Sequence, residues 1–125
     1  MAVKIGKKKK KRISTEKTIE LIAQAAQDKK AQDLKILDVS KTSKVIDYLI
    51  ICSGESDPQV RAIEKEIDKR LRKNKIKGFR WEGVVESGWM ILDLGTIVTH
   101  VMRSAERDYY DLEGLWGKEA IVYHY

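Results

Sequence analysis

Gly54 and Ser56 stand just ahead of Pro58, which suits a first helical position because its missing N–H has no partner there anyway. A strand-to-helix turn of this kind can cradle a phosphate on free backbone donors. Glu82 and Asp93, on later strand-like stretches, would then hold a divalent ion for nucleotidyl transfer. That set is incomplete. Two-metal chemistry wants carboxylates converging from adjacent positions, commonly D-x-D on one strand, and the chain has no such pair. It also lacks the CxxC, HExxH, GxGxxG and P-loop patterns, and His100 and His124 are 24 positions apart, which gives no local metal site. His100 lies in an alternating stretch, where a hydrogen-bonded structural role outweighs that of a catalytic base without a nearby nucleophile. The residues therefore favour no enzyme, no metal and no cofactor.

Binding has more support than catalysis. Trp and Tyr concentrate in the second half beside acidic residues, at Trp81-Glu82-Gly83, Trp89, Tyr109-Tyr110-Asp111 and Leu115-Trp116. Aromatics of this kind dominate interface hot spots, although large aromatics also fill cores. For Trp89 and Trp116 the two roles weigh equally.

The elements that must position these residues are organised around Val45–Gly54, the most apolar window and rich in β-branched residues, which predicts a central strand covered on both faces. Asp57 is the expected cap of a helix from Pro58, with Val60, Ile63, Ile67 and Leu71 as its apolar stripe and Gly78 at its exit. Before the central strand come a helix from Ser14 or Thr15 to about Lys30 and a strand over Leu34–Val39, its antiparallel neighbour. After the long helix come strands at Phe79–Glu82, Trp89–Leu94 and Ile97–Met102. Ser104–Gly117 reads as short helical turns lying across the sheet, and Ala120–Tyr123 as a little extended structure at an edge. The expected fold is a single α/β domain with a mixed five-stranded sheet packed by helices, the long helix providing a crossover.

Its 125 residues, 42% of them hydrophobic, fit one core. The net charge of +6 is unevenly spread. Lys4, Lys7, Lys8, Lys9, Lys10, Lys11 and Arg12 supply seven cations with no acid among them, and the remainder holds 18 basic against 19 acidic residues. Residues 1–13 are thus expected to be a disordered basic tail able to touch RNA, with residues 14–125 as the folded domain. The body is polarised too: residues 61–80 hold nine basic against three acidic residues, and residues 81–115 hold seven acidic against two basic. No apolar run reaches the roughly 18 residues of a membrane span, and the single cysteine, Cys52, sits within the apolar strand as an inert thiol. A reduced, cytoplasmic location follows as an expectation.

Taken in order, Asp47-Tyr48 with Ile50-Ile51-Cys52-Ser53-Gly54, Gln59-Val60-Arg61-Ala62-Ile63, Trp81-Glu82-Gly83, Gly88 to Gly95, His100-Val101-Met102-Arg103 and Arg107 to Gly117 resemble the Iojap family, the ribosomal silencing factors. The resemblance runs from about Ile19 to Gly117. It implies a fold related to the nucleotidyltransferases without their catalytic carboxylates, and no enzymatic activity. It further implies binding to the large ribosomal subunit through ribosomal protein uL-fourteen, a block on joining with the small subunit, repressed translation and a part in large-subunit maturation. Carried onto matching positions, the expected partner contacts are Trp81, Glu82, Tyr109, Tyr110, Asp111, Leu115 and Trp116, with Lys7 to Lys11 and Arg12 lying toward ribosomal RNA. Asp47 and Tyr48 would support the sheet, and a homodimer of the free protein is compatible with the pattern.

Overall fold

The computed structural model describes residues 14–117 and 120–124, so the lysine tail and the RNA contacts expected of it lie outside the described residues. Helix α1 (Thr15–Asp28) starts where the Ser14 hydroxyl accepts the Lys17 N–H at 3.1 Å. Its inward face carries Leu21, Ile22, Ala23, Ala25 and Ala26, and such small side chains let it lie close against helix α2 (Asp57–Lys73). The cap of α2 is Ser56, whose hydroxyl accepts the Gln59 N–H at 3.3 Å. This corrects the expectation for Asp57, whose carboxylate lies 2.5 Å from the Arg103 guanidinium and is drawn away from the helix start. The stripe of Val60, Ile63, Ile67 and Leu71 is fully buried, as its spacing requires.

Strands β1 (Gln32–Asp38), β2 (Tyr48–Gly54), β3 (Arg80–Val84), β4 (Trp89–Asp93), β5 (Ile97–Arg103) and β6 (Ile121–His124) form one sheet in the order β3-β4-β5-β2-β1-β6. β2 and β5 run parallel, because α2 carries the chain across the sheet, and every other neighbouring pair is antiparallel. The sheet has six strands where five were expected. The sixth is only four residues long; it lies where Ala120–Tyr123 was expected as extended structure at an edge and joins the ladder along the free edge of β1, with Ile36 opposite Tyr123. The central strand also begins later than Val45. The Ser43 hydroxyl accepts the N–H groups of Val45 at 3.1 Å and Ile46 at 3.0 Å, and this turn keeps both residues out of the ladder.

Alternation along β2 divides the core. Ile50 and Cys52 face α1 and α2 together with Leu92, Ile97 and Val101. Leu49 and Ile51 face the other way with Leu37. That second face is closed by the C-terminal segment, helices α3 (Ser104–Tyr110) and α4 (Leu112–Trp116), whose Leu112 and Trp116 pack on it with Ile121.

Arg107 fastens the segment. Only 5% exposed, it donates to the Glu113 carboxylate at 2.8 and 3.2 Å, to the Ser53 hydroxyl at 3.3 Å and to the Gln32 carbonyl at 3.3 Å. Burial alone would oppose ionisation of Glu113, but the Arg107 guanidinium outweighs it and holds the carboxyl below its usual range. Removing Arg107 leaves the half-buried Glu113 carboxylate with only Lys35 among the described residues, at 3.5 Å, so Arg107→Met should cost about 3 kcal/mol of stability in urea unfolding. A loss under about 1 kcal/mol would show that apolar contacts alone hold the segment.

Candidate partner-binding surface

Strand alternation decides which of the expected residues can act together. On β3, Arg80, Glu82 and Val84 point away from α1 and α2, while Trp81 points toward them, packs on the helix-side core and donates its indole N–H to Asp68 at 3.0 Å. Gly83 between them has φ of +91°, and a side chain there would collide with the Trp89 carbonyl. Trp81 and Glu82 thus lie on opposite sides of the sheet.

The outward face near β3 and β4 carries an aromatic run. Val84 pairs across the ladder with Trp89, whose ring lies 4.7 Å from that of Tyr110, and Tyr109 meets Tyr110 edge-on at 5.0 Å. Tyr109 is 81% exposed, Val84 58% and Tyr110 47%. Glu82 on β3 and Asp111 after α3 are exposed acids of the same outer layer. Leu115, on α4, is 78% exposed, whereas Trp116 is half-buried against the second core. Five of the seven expected contacts are therefore open to a partner: Glu82, Tyr109, Tyr110, Asp111 and Leu115. Val84 was not expected and Trp89 was left undecided. The signal was the Val84–Trp89 pairing, hidden because a short 3-10 turn over Val85–Ser87 sets the register.

The nucleotidyl-transfer set does not assemble. Arg80 binds Glu82 at 3.1 Å and approaches Asp93 at 3.9 Å, so a guanidinium occupies the space between these carboxylates. Gly54 lies at the far end of β2, three strands from β3 and so about 14 Å away by strand spacing alone. Ser56 is spent on capping α2. Among the described residues no three His, Cys, Asp or Glu side chains are grouped to hold a metal ion.

Residues 12–123 match the family model described as ribosomal silencing factor during starvation. The ribosomal silencing factor of Bacillus subtilis is 44% identical over 99 residues, covering 79% of this chain and 84% of that protein. The chain belongs to the ribosomal silencing factor family. Chloroplastic Iojap of Arabidopsis thaliana is 31% identical over 77% of this chain and 40% of its own length. A crystal structure of a Chromobacterium violaceum protein superposes with a TM-score of 0.79 at 35% identity, covering 84% of this chain and 88% of that one.

In this member of the silencing factor family the aromatic run is anchored from below. The Trp89 indole donates to Nδ1 of His100 at 2.9 Å, which requires the imidazole to be neutral with its proton on Nε2. Burial pushes the His100 pKa down to about 4 from an ordinary 6.5. Cys52 goes the opposite way: burial pushes its thiol up to about 12, consistent with the inert role expected of it. Between pH 6.5 and 4 the unfolded chain takes up a proton at His100 that the folded chain refuses, so stability falls as pH drops through this window and flattens below it. The full effect is about 3 kcal/mol. Thermal melts from pH 7 to 4 should show it, and His100→Leu should remove this component; an unchanged profile in that variant would rule it out.

Proposed function

We propose that this chain silences translation by occupying the large ribosomal subunit at ribosomal protein uL-fourteen, where its bulk blocks joining with the small subunit. The observation that carries this reading is the exposed Val84, Tyr110 and Tyr109 gathered around the half-buried Trp89, with Glu82 and Asp111 exposed as well, on a chain of the ribosomal silencing factor family. Aromatic anchors on a chain half rich in acids suit a basic partner such as a ribosomal protein, since the rings supply contact area and the acids supply steering. A steric block needs affinity and orientation rather than chemistry, so a rigid surface is sufficient. Tyr109, Tyr110, Asp111, Leu115 and Glu82 make the contact; Trp81 and Trp116, half-buried, hold β3 and α4 in place beneath it. The tail cations Lys7 to Lys11 and Arg12 lie toward ribosomal RNA, and the protein works in the cytoplasm without a cofactor. Large-subunit maturation is a companion role. A mouse relative, 27% identical over 78% of this chain, carries the name mitochondrial assembly of ribosomal large subunit protein 1.

The protein should sediment with free large subunits and be excluded from joined ribosomes; equal recovery in the joined fraction would sink the proposal. Tyr109→Ala should weaken subunit binding by about 2 kcal/mol, roughly thirtyfold, with the melting temperature unchanged. Trp116→Ala should instead lower stability by about 3 kcal/mol and reduce binding only through the folded fraction.

A further inference from the structure

The corner where α2 runs into β3 carries the densest positive charge of the described residues. Residues 69–80 include seven cations and no acid. Three of the seven are committed: Arg70 to Glu66 and Asp28, Arg72 to Asp68, and Arg80 to Glu82. Lys69, Lys73, Lys75 and Lys77 have no carboxylate partner among the described residues.

The corner is also built rather than loose. Lys75 takes a left-handed φ of +63°, the Ile76 N–H reaches back to the Leu71 carbonyl at 3.0 Å, and the Asn74 side chain donates to the Arg70 carbonyl at 2.8 Å. The chain therefore doubles back over the end of α2 and fixes the backbone beneath Lys73, Lys75 and Lys77. Beside it runs an open groove rimmed by Arg72, Lys75 and Lys77, whose apolar floor is Ile76 and Phe79, with the Arg72 guanidinium 5.1 Å above the Phe79 ring.

From this arrangement we propose that the α2–β3 corner is an RNA-binding surface, in which Lys73, Lys75 and Lys77 take backbone phosphates while a ribose or base rests on Ile76 and Phe79. Cationic rims around apolar or aromatic floors are what single-stranded nucleic acid rewards, because phosphates and base faces recur at every nucleotide. The choice of RNA over another polyanion rests on the ribosomal reading given above. Strand β3 runs from this corner at Arg80 to the aromatic run at Val84, a span of about 14 Å. One rigid strand therefore joins a surface suited to RNA to a surface suited to a basic protein, as a factor seated on a protein–RNA boundary requires.

The test uses the full chain and the triple variant Lys73→Gln, Lys75→Asn, Lys77→Gln, with Lys29→Gln, Lys41→Gln, Lys44→Gln as a charge-matched control and melts to confirm that both are folded. Binding is measured to purified large subunits and, separately, to protein-free large-subunit ribosomal RNA across a salt series. The expected result is a loss of about ten- to a hundredfold at 0.1 M salt for the corner variant, with a salt slope shallower by about two, and little change for the control. Equal losses in the two variants, or an unaltered slope at the corner, would overturn the inference. So would competition by polyglutamate as effective as that by RNA, which would make the corner a general polyanion surface. Failure of the parent chain to bind subunits would count against the proposed function, and the protein-free RNA titration would still decide the corner on its own.

Discussion

The constraint on which the rest depends is that β2 is buried on both faces. From Leu49 to Ser53 every residue of the strand is buried, and neighbouring side chains enter two different cores. A strand with both faces apolar cannot lie at a solvent surface, because each exposed Leu or Ile face would forgo roughly 1.5–3 kcal/mol per side chain. Helices α1 and α2 cover one side. Among the described residues no helix before residue 104 covers the other, where Val39 and Ile46 give only partial cover, so the C-terminal segment must return over the sheet.

That return determines which side chains of the sheet's second face stay open. Leu112 and Trp116 close the second core near β1 and β2, but the layer ends with Tyr110 on Trp89 of β4 and leaves Val84 of β3 and the Tyr109 ring open. Two arginines hold the boundary. Arg107 ties α3 and α4 to β1 and β2, while Arg103, between Asp57 and Glu106, ties the end of β5 to the start of α2. Both carboxylate partners favour the charged guanidinium, and the pKa of Arg103 is raised accordingly, Glu106 first among the causes. The exposed tyrosines stand on a short helix that would be marginal alone and is rigid because its base is clamped.

Much of the fold was legible in the sequence because its signals are local and periodic. The stripe of α2, the apolar run of β2 and the return of Ser104–Gly117 over the sheet each follow from spacing or from the need to cover an apolar face. What stayed hidden depends on register. Trp81 and Glu82 read as one motif, yet adjacent strand residues face opposite ways, so one joins the helix-side core and the other faces out. Asp57 was expected to cap α2, but it is the helix's first residue and its carboxylate pairs with Arg103, a contact from 46 residues away that no local signal announces. The pairing of Val84 with Trp89 depends on how many residues the intervening turn consumes. The matching of motifs in order pointed to the family without requiring any of these, because family membership is carried by residue identity rather than by which way each side chain faces.

The same register gives the protein its polarity. Because β3 is an edge strand, its outer edge is paired with no further strand of the sheet, and its two ends carry different chemistry. At one end a helix terminates, and late cations suit the negative pole of α2, so a lysine-rich corner stabilises the fold as well as presenting charge. At the other end the ladder turns through Val85–Ser87 into Trp89, where a buried neutral histidine keeps the indole in place without adding charge beneath the aromatic run. Positive and apolar surfaces are thus separated by a strand too short and too well paired to bend. Two contacts on one rigid body share a single loss of rotational and translational freedom on binding, so each can be modest while the pair is strong. On the proposed reading, in which the chain acts by occupying a surface, that sharing gives long residence from a chain of only 125 residues.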